Sequence, residues 1–145
     1  MKTDVVWGQE LGATLLRLAL GTMYLAHAGL KVFTFTMAGT VQFFASLGYP
    51  AWVAYAVVAA EALAGVLLIA GFKVRAVATA MLPVLLGAAV VHWPNGWVFN
   101  AQGGGWEYPV FLAIASIVQA LIGQGAYALR WERAAAGGYA QRSGV

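Results

Sequence analysis

Four apolar stretches alternate with short polar segments along the chain. A helix crosses the hydrocarbon core of a bilayer with about 17–25 predominantly apolar residues, and each stretch meets that length. The sequence therefore predicts four transmembrane helices, at about 11–33, 52–71, 75–92 and 107–129. The segment 34–51 is less apolar, and its large apolar side chains recur at helical spacing, which favours a short helix at the membrane interface.

The predicted fold class is an all-α membrane protein: a four-helix up-down bundle with the short interfacial helix between helices 1 and 2. Residues 1–10 are expected to form a short polar lead-in, 11–130 the single transmembrane domain, and 131–145 a small polar tail. Pro83 lies inside the third span and predicts a kink there, because proline cannot donate a backbone hydrogen bond in a helix interior.

Composition agrees with a membrane protein and narrows the chemistry. Of the 145 residues, 62% are hydrophobic and 9% charged, and the mean hydropathy is +0.78, whereas soluble domains are about 45–50% apolar and about 25% charged. The chain has no cysteine, which excludes thiolate-held iron–sulfur clusters and cysteine nucleophiles. The net charge of +3 does not indicate a nucleic-acid partner, because the basic residues lie where membrane topology would place them.

The distribution of basic residues predicts the orientation of the chain in the membrane. Six of them lie near the chain ends or between the second and third spans: Lys2, Lys73, Arg75, Arg130, Arg133 and Arg142. The longer segments 34–51 and 93–106 contain no Lys or Arg. Since cytoplasmic loops carry the excess of basic residues, we expect both termini to be cytoplasmic and both longer loops to be external, in the plasma membrane of a bacterium or archaeon.

The first span carries a polar stripe that a helix surrounded only by lipid would not tolerate. Arg17, Tyr24, His27 and Lys31 fall on roughly one side of a helix. A charge at mid-membrane costs at least about 2.5–3.5 kcal/mol on insertion scales, so such residues face a bundle interior or a wet cavity. Glu61, at the centre of the second span, is a predicted partner of Arg17. That pair would either fix the helix register or handle protons.

A second group of titratable residues is predicted to gather at the external face. It comes from three different spans and comprises His27, Lys31, His92 and Glu107. Aromatic side chains would surround it, with Tyr24 below and Trp93, Trp97, Phe99 and Trp106 above. Each of these residues also has a simpler explanation, because interfacial Trp residues form an ordinary aromatic belt and Lys31 can extend to the lipid headgroups.

The two histidines also raise the alternatives of a haem site or a metal site at this external face. His27 and His92 on separate helices permit bis-His haem ligation, or a metal site together with Glu107. The chain has only two histidines, no c-type haem motif and no closely spaced zinc ligands, which argues against both. The Gly103–Gly105 run lacks the lysine of a phosphate-binding loop, and is expected instead to let the loop fold back over the site.

The order of the polar motifs resembles the DoxX family of small four-helix membrane proteins. The resemblance covers about residues 11 to 130 and rests on Arg17-xxx-Gly21, His27-Ala28-Gly29, Glu61-xxx-Gly65, Arg75-Ala76, His92 with Asn95-Gly96, Glu107-Tyr108-Pro109 and Gly123-x-Gly125. It implies a four-helix fold and a connection with quinone-linked oxidoreduction, as in the small subunits of thiosulfate:quinone oxidoreductases.

The sequence therefore carries two hypotheses about function. In the first, the chain is a quinone-interacting oxidoreductase subunit, with His27, Lys31, His92 and Glu107 as hydrogen-bond and proton partners of the headgroup. The aromatic residues bounding the ring would be Tyr24, Trp93, Trp97 and Trp106. Electrons would come from a substrate or a redox partner protein. The small-residue rows Gly8-xxx-Gly12 and Ala56, Ala60 and Ala64 could serve a homodimer or the internal packing of the helices. In the second hypothesis, the chain is a non-catalytic membrane anchor or assembly factor for a redox or metal-handling complex.

Overall fold

The computed structural model describes the backbone of residues 2–129 and the side chains of residues 5–129. This part of the chain is helical, with no strand: α1 Lys2–Gly29, a π-helical turn Leu30–Thr34, α2 Thr36–Ser46, α3 Ala51–Ala70, α4 Val74–Ala80, α5 Leu82–His92, a 3-10 turn Trp93–Asn95 and α6 Glu107–Ile122. The predicted all-α class is confirmed. The predicted tail, 131–145, lies outside the described residues.

Length and hydropathy identify the helices that could cross a membrane. Ala51–Ala70 and the stretch Val74–Asn95 have mean hydropathies of 2.2 and 2.0 and are long enough to span a membrane. The pair Val5–Thr34 and Thr36–Ser46 reaches the same length and hydropathy only when taken together, with a bend of 101° at its break, and α6 is a shorter apolar helix. Large apolar side chains point outward, for example Val90 at 73% and Leu121 at 72% exposure. That surface requires a lipid environment, in which helices satisfy their own backbone groups.

Helices α1 and α3 run side by side, and two glycines set their closest approach. A Cβ at Gly21 would lie 2.9 Å from the carbonyl oxygen of Gly65, and one at Gly65 would lie 2.8 Å from that of Gly21. Small residues permit this separation in membrane proteins, where close packing drives helix association. Helix α6 packs against α1, α4 and α5, and α2 packs against α3.

The first span differs from its prediction at both ends. Helix α1 begins at Lys2 and so continues through the predicted lead-in. At its other end the chain passes through the π-helical turn and then reverses at Thr36, whose φ is +60°, into α2. The hydroxyl of Thr40 in α2 donates to the carbonyl of Lys31 at 2.8 Å, which holds α2 against the turn. The expected short helix between the first two spans is therefore present.

The third span is broken close to its proline. Helix α4 ends at Ala80 and α5 begins at Leu82, with Pro83 in the first turn of α5. Because Pro83 has no N–H, it cannot bond to the turn before it. The helix is therefore interrupted next to Pro83. The kink itself stays a prediction, because the stretch Val74–Asn95 runs as one helix long enough to span a membrane.

The fourth span is shorter than predicted, because α6 ends at Ile122 and not at 129. Gly123 and Gly125 have φ values of +87° and +67°, which end the helix and turn the chain across the ends of α1 and α3. The amide of Ala126 donates to Glu10 O at 3.3 Å, and that of Leu129 to Ala70 O at 3.2 Å. A Cβ at Gly125 would lie 2.6 Å from Glu10 O, so this close passage requires glycine.

The bundle therefore has two distinct ends. The turn end carries the Gly71–Lys73 connection and the segment 123–129. The loop end carries α2 and the loop 96–106.

Candidate functional site

A cavity of about 790 Å³ opens inside the loop half of the bundle. Its walls come from α1, α2, α3, α5 and α6, and most of the lining side chains are apolar. This volume lies within the ~300–1,000 Å³ typical of small-molecule sites, which are mostly apolar with a few placed polar groups. The polar groups of this cavity therefore decide what it can bind.

An ion pair lies in the cavity wall. Lys31 Nζ is 2.8 Å from Oε1 and 2.9 Å from Oε2 of Glu61. Lys31 belongs to the π-helical turn, Glu61 to the middle of α3. The side chains are 20% and 9% exposed respectively, so each charge depends on the other in an apolar surrounding.

The predicted pair between Arg17 and Glu61 is not formed, and the α1–α3 contact explains why. Gly21 lies beside Gly65; Arg17 is one turn from Gly21 toward the turn end, whereas Glu61 is one turn from Gly65 toward the loop end. The two residues are therefore about eight residues, or about 12 Å, apart along the helix axes. Glu61 consequently pairs with Lys31 instead.

Arg17 stabilises the turn end of the bundle. Its guanidinium donates to the carbonyls of Leu68 and Ile69, both at 3.2 Å, and to that of Ala126 at 3.3 Å. The first two acceptors belong to the last turn of α3, where unpaired carbonyls and the helix dipole favour a cation. The side chain is 1% exposed, and it joins α1, α3 and the segment 123–129.

Both histidines line the cavity, and each uses Nδ1 to bind a backbone carbonyl. His27 Nδ1 donates to Met23 O at 2.8 Å, and His92 Nδ1 donates to Gly103 O at 2.9 Å. Because a carbonyl only accepts, the proton of a neutral ring lies on Nδ1 in both cases, and Nε2 is left as an acceptor. The cavity therefore carries two imidazole nitrogens that can accept a hydrogen bond or a proton.

Tyr108 is a cavity residue that the sequence analysis missed. Its ring stacks on that of His27, with centroids 5.4 Å apart and an interplanar angle of 18°. Its hydroxyl is buried and has no hydrogen-bond partner within the described part of the chain. Buried hydroxyls without a partner are rare, which distinguishes Tyr108 from the other polar residues of the cavity lining. The sequence did contain a signal that Tyr108 faces inward, because its spacing places it on one face of α6 with Leu112, Ser116 and Gln119.

Tyr24 is fully partnered, in contrast with Tyr108. It is 1% exposed, and its hydroxyl lies 2.6 Å from Ser116 Oγ in α6. The contact joins α1 to α6 at the inner part of the cavity, whose lining includes Tyr24.

Glu107 and the three tryptophans build the loop and do not line the cavity. Glu107 Oε1 accepts the backbone N–H of Phe99 at 2.8 Å. The indole of Trp106 stacks on Trp93 and meets Trp97 edge-on, with centroids 4.5 Å apart in both pairs. The three indoles therefore pack on one another, and the role predicted for them around a ligand ring is not supported by their positions. Four of the residues that the sequence predicts to surround a quinone headgroup line this cavity: Tyr24, His27, Lys31 and His92.

The expected backfolding of the glycine-rich loop is also present. Gly103 and Gly104 have φ values of +83° and +80°. A Cβ at Gly105 would overlap the carbonyl oxygens of Trp97 and Val98. Within residues 5–129, no group of three or more histidine or carboxylate side chains could hold a metal ion.

The contact of Glu107 with Phe99 predicts a contrast between two substitutions. Glu107→Gln keeps an oxygen that accepts the Phe99 N–H and should leave the loop intact. Glu107→Ala should lose about 1 kcal/mol, the value of one hydrogen bond, and speed hydrogen exchange at the Phe99 amide by about fivefold. Amide exchange followed by mass spectrometry measures the difference. Equal exchange rates in the two variants would show that the carboxylate does not hold the loop.

The fold and the cavity define a class of protein, a small all-α membrane protein with a ligand-sized cavity inside its helices. The family model of DoxX matches residues 12–93, and the chain belongs to the DoxX family. It is also 36% identical over 115 residues to a protein of Bacillus subtilis (strain 168) named "Putative oxidoreductase CatD", covering 79% of this chain and 81% of the relative. No solved structure matches the chain.

Proposed function

We propose that the chain is the quinone-binding subunit of a membrane oxidoreductase, with the quinone headgroup in the cavity of the loop half. The observation that carries the proposal is the Lys31–Glu61 pair, a donor and an acceptor together in the wall of a mostly apolar cavity. Tyr108, whose hydroxyl has no partner within residues 5–129, lines the same cavity. The name of the Bacillus subtilis relative supports an oxidoreductase.

The polar groups of the cavity suit both redox states of a quinone. The oxidised form offers two carbonyl oxygens, which only accept, and the Tyr108 hydroxyl and the Lys31 ammonium are donors. The reduced form offers two hydroxyls, which donate, and the Glu61 carboxylate and the Nε2 atoms of His27 and His92 are acceptors. A bound quinone would supply two-electron, two-proton chemistry, with electrons taken from a reduced substrate or a partner protein.

Proton exchange is the task of the chain's own residues in this proposal. Glu61 and the histidines can hold a proton between the cavity and the loop end, because each carries an ionisable atom at the cavity wall. His92 lies nearest the loop, where it is bound to Gly103, and we assign it the exchange of protons with the aqueous side.

The proposed orientation follows from the basic residues. Lys73 and Arg75 lie at the turn end and the loop 96–106 has no Lys or Arg, so the turn end is cytoplasmic and the cavity belongs to the external half. The chain would then cross the plasma membrane several times with both termini inside.

Two tyrosines of the cavity provide a matched test. Tyr108→Phe removes a hydroxyl that has no hydrogen-bond partner within residues 5–129, so stability should be unchanged. Quinone affinity should fall about three- to tenfold, the value of one lost neutral hydrogen bond. Tyr24→Phe removes the contact with Ser116 and should lower the free energy of unfolding by about 1 kcal/mol. Titration of the protein in nanodiscs with a tail-less quinone, beside thermal unfolding, measures both.

The proposal has two separate ways to fail in this experiment. If the wild-type protein binds no quinone, the chain is not a quinone-binding subunit, and the anchor hypothesis takes its place. If it binds quinone and Tyr108→Phe binds equally well, the headgroup does not lie against Tyr108.

A further inference from the structure

We infer that the quinone enters this cavity sideways from the bilayer, between α3 and α5, and that its isoprenoid tail stays in that opening. The inference rests on the proposed function. It adds the route by which the quinone enters the cavity, and it adds that the protein recognises the isoprenoid tail. Four observations carry it: the helix packing, the residues at the opening, the cover over the loop end and the cavity volume.

The helix packing leaves one side of the bundle open. Helix α1 packs against α3 and α6, and α5 packs against α6, whereas α3 and α5 share no extended interface over the described residues. At the turn end the same side is closed, because α3 packs against α4. The break between α4 and α5 at Met81 is therefore the level at which the opening begins.

Apart from Glu61 and His92, the residues that α3 and α5 give to the cavity lining are small or apolar. They are Val53 and Val57 of α3, and Pro83, Val84, Leu85, Gly87, Ala88 and Val91 of α5. A Cβ placed on Gly87 would have no heavy atom within 4 Å, so the space beside α5 is unfilled. A hydrocarbon chain has the chemistry to fill it, because such a wall offers dispersion contacts and no hydrogen-bond partner.

The loop end of the cavity is covered, unlike its side. Phe43 and Phe44 of α2 line the cavity, as does Gly103 of the loop 96–106. Beside the opening, α5 presents Leu86 and Val90 outward at 56% and 73% exposure, as surfaces in contact with lipid tails do. A ligand dissolved in the bilayer thus meets an apolar entrance at its own depth.

The volume is larger than a headgroup needs. A cavity of about 150 Å³ is sufficient to bind benzene, whereas this one holds about 790 Å³. One substituted ring therefore leaves most of the space unoccupied, and the first isoprenoid units of a tail would fill it. The ring belongs near Lys31, Glu61 and Tyr108, and the tail near Gly87.

Two glycines provide the test and its control. Gly87→Leu fills the space beside α5, and Gly12→Leu adds the same side chain to α1 at a position that also has nothing within 4 Å but does not line the cavity. Affinities for a tail-less quinone and for a quinone with a long isoprenoid tail are measured in nanodiscs. In Gly87→Leu, the preference for the tailed ligand should fall about tenfold, because the leucine side chain competes with the tail for the same space. Gly12→Leu should keep the wild-type preference.

The outcomes separate this inference from the proposed function. An unchanged preference in Gly87→Leu overturns the route, because the tail would then leave the cavity elsewhere. An equal loss of both ligands also overturns it, since the headgroup would then lie at Gly87. A wild-type protein that binds neither quinone overturns the proposed function, and the inference with it.

A reversible cross-link tests the route by a second measurement. The natural chain has no cysteine, so Val57→Cys and Ala88→Cys together introduce one thiol on each side of the opening. Joining them with a short reducible cross-linker should slow quinone exchange with the bilayer about tenfold or more, and reduction should restore it. The two single-cysteine variants treated in the same way are the controls. Unchanged exchange in the cross-linked protein would overturn lateral entry.

Discussion

Lys31→Met is expected to destabilise the protein by about 3 kcal/mol, because it leaves Glu61 buried without its partner. Removing one member of a buried ion pair typically costs about 3–5 kcal/mol, and the lower end applies here since the Lys31 side chain retains 20% exposure. The methionine keeps the length and apolar character of the lysine stem, so packing changes little. Titration of the purified protein with a denaturing detergent in mixed micelles measures the free energy of unfolding.

The double variant Lys31→Met/Glu61→Leu separates the charge effect from packing. Apolar replacement of both partners removes the unpaired charge, and we expect stability within about 1 kcal/mol of wild type. Quinone affinity should stay low in the double variant, because a donor and an acceptor of the cavity are both gone. Single and double variants of equal stability would show that the two residues do not interact, and full quinone affinity in the double variant would remove the pair from the proposed site.

The sequence was sufficient for the fold class because hydropathy reports directly on burial in lipid. The apolar helices and the additional helix after the first span appear in the structure, and the helix of the third span is interrupted next to Pro83. The ends of helices were harder to predict from the sequence. Helix α6 ends just before Gly123, where φ is positive, although the apolar pattern continues to Leu129. Hydropathy does not distinguish a helical glycine from one that ends a helix.

The candidate site was predicted in part, and its errors have a common cause. Depth in the membrane follows from counting residues, but the direction of a side chain depends on helix rotation and on the register between helices. The contact of Gly21 with Gly65 sets that register and separates Arg17 from Glu61. The π-helical turn around Lys31 changes the rotation that a regular helix would give.

At the start of α6, helix rotation decides between two adjacent residues which side chain points into the cavity. Adjacent residues of a helix point about 100° apart, so the position of the first turn decides which side chain enters the cavity. That side chain is Tyr108, while Glu107 binds the loop at Phe99. The three tryptophans likewise pack on one another and do not line the cavity.

Arg17→Met is expected to lower the free energy of unfolding by about 3 kcal/mol and to release the segment 123–129. The guanidinium donates to three carbonyls, and a hydrogen bond from a charged group contributes about 1.5–3 kcal/mol. Water reaching the exposed carbonyls of Leu68 and Ile69 would offset part of this loss. Hydrogen exchange at the Ala126 and Leu129 amides, which bond to Glu10 and Ala70, should accelerate more than exchange in the interior of α3.

The control for this prediction is Lys73→Met at the same end of the bundle. Lys73 is exposed, so its replacement should change stability by less than about 0.5 kcal/mol. Because Arg17 lies at the turn end and does not line the cavity, the folded fraction of Arg17→Met should bind a tail-less quinone as wild type does. A loss of quinone affinity with the segment 123–129 still protected would instead assign Arg17 to the ligand site and contradict its structural role.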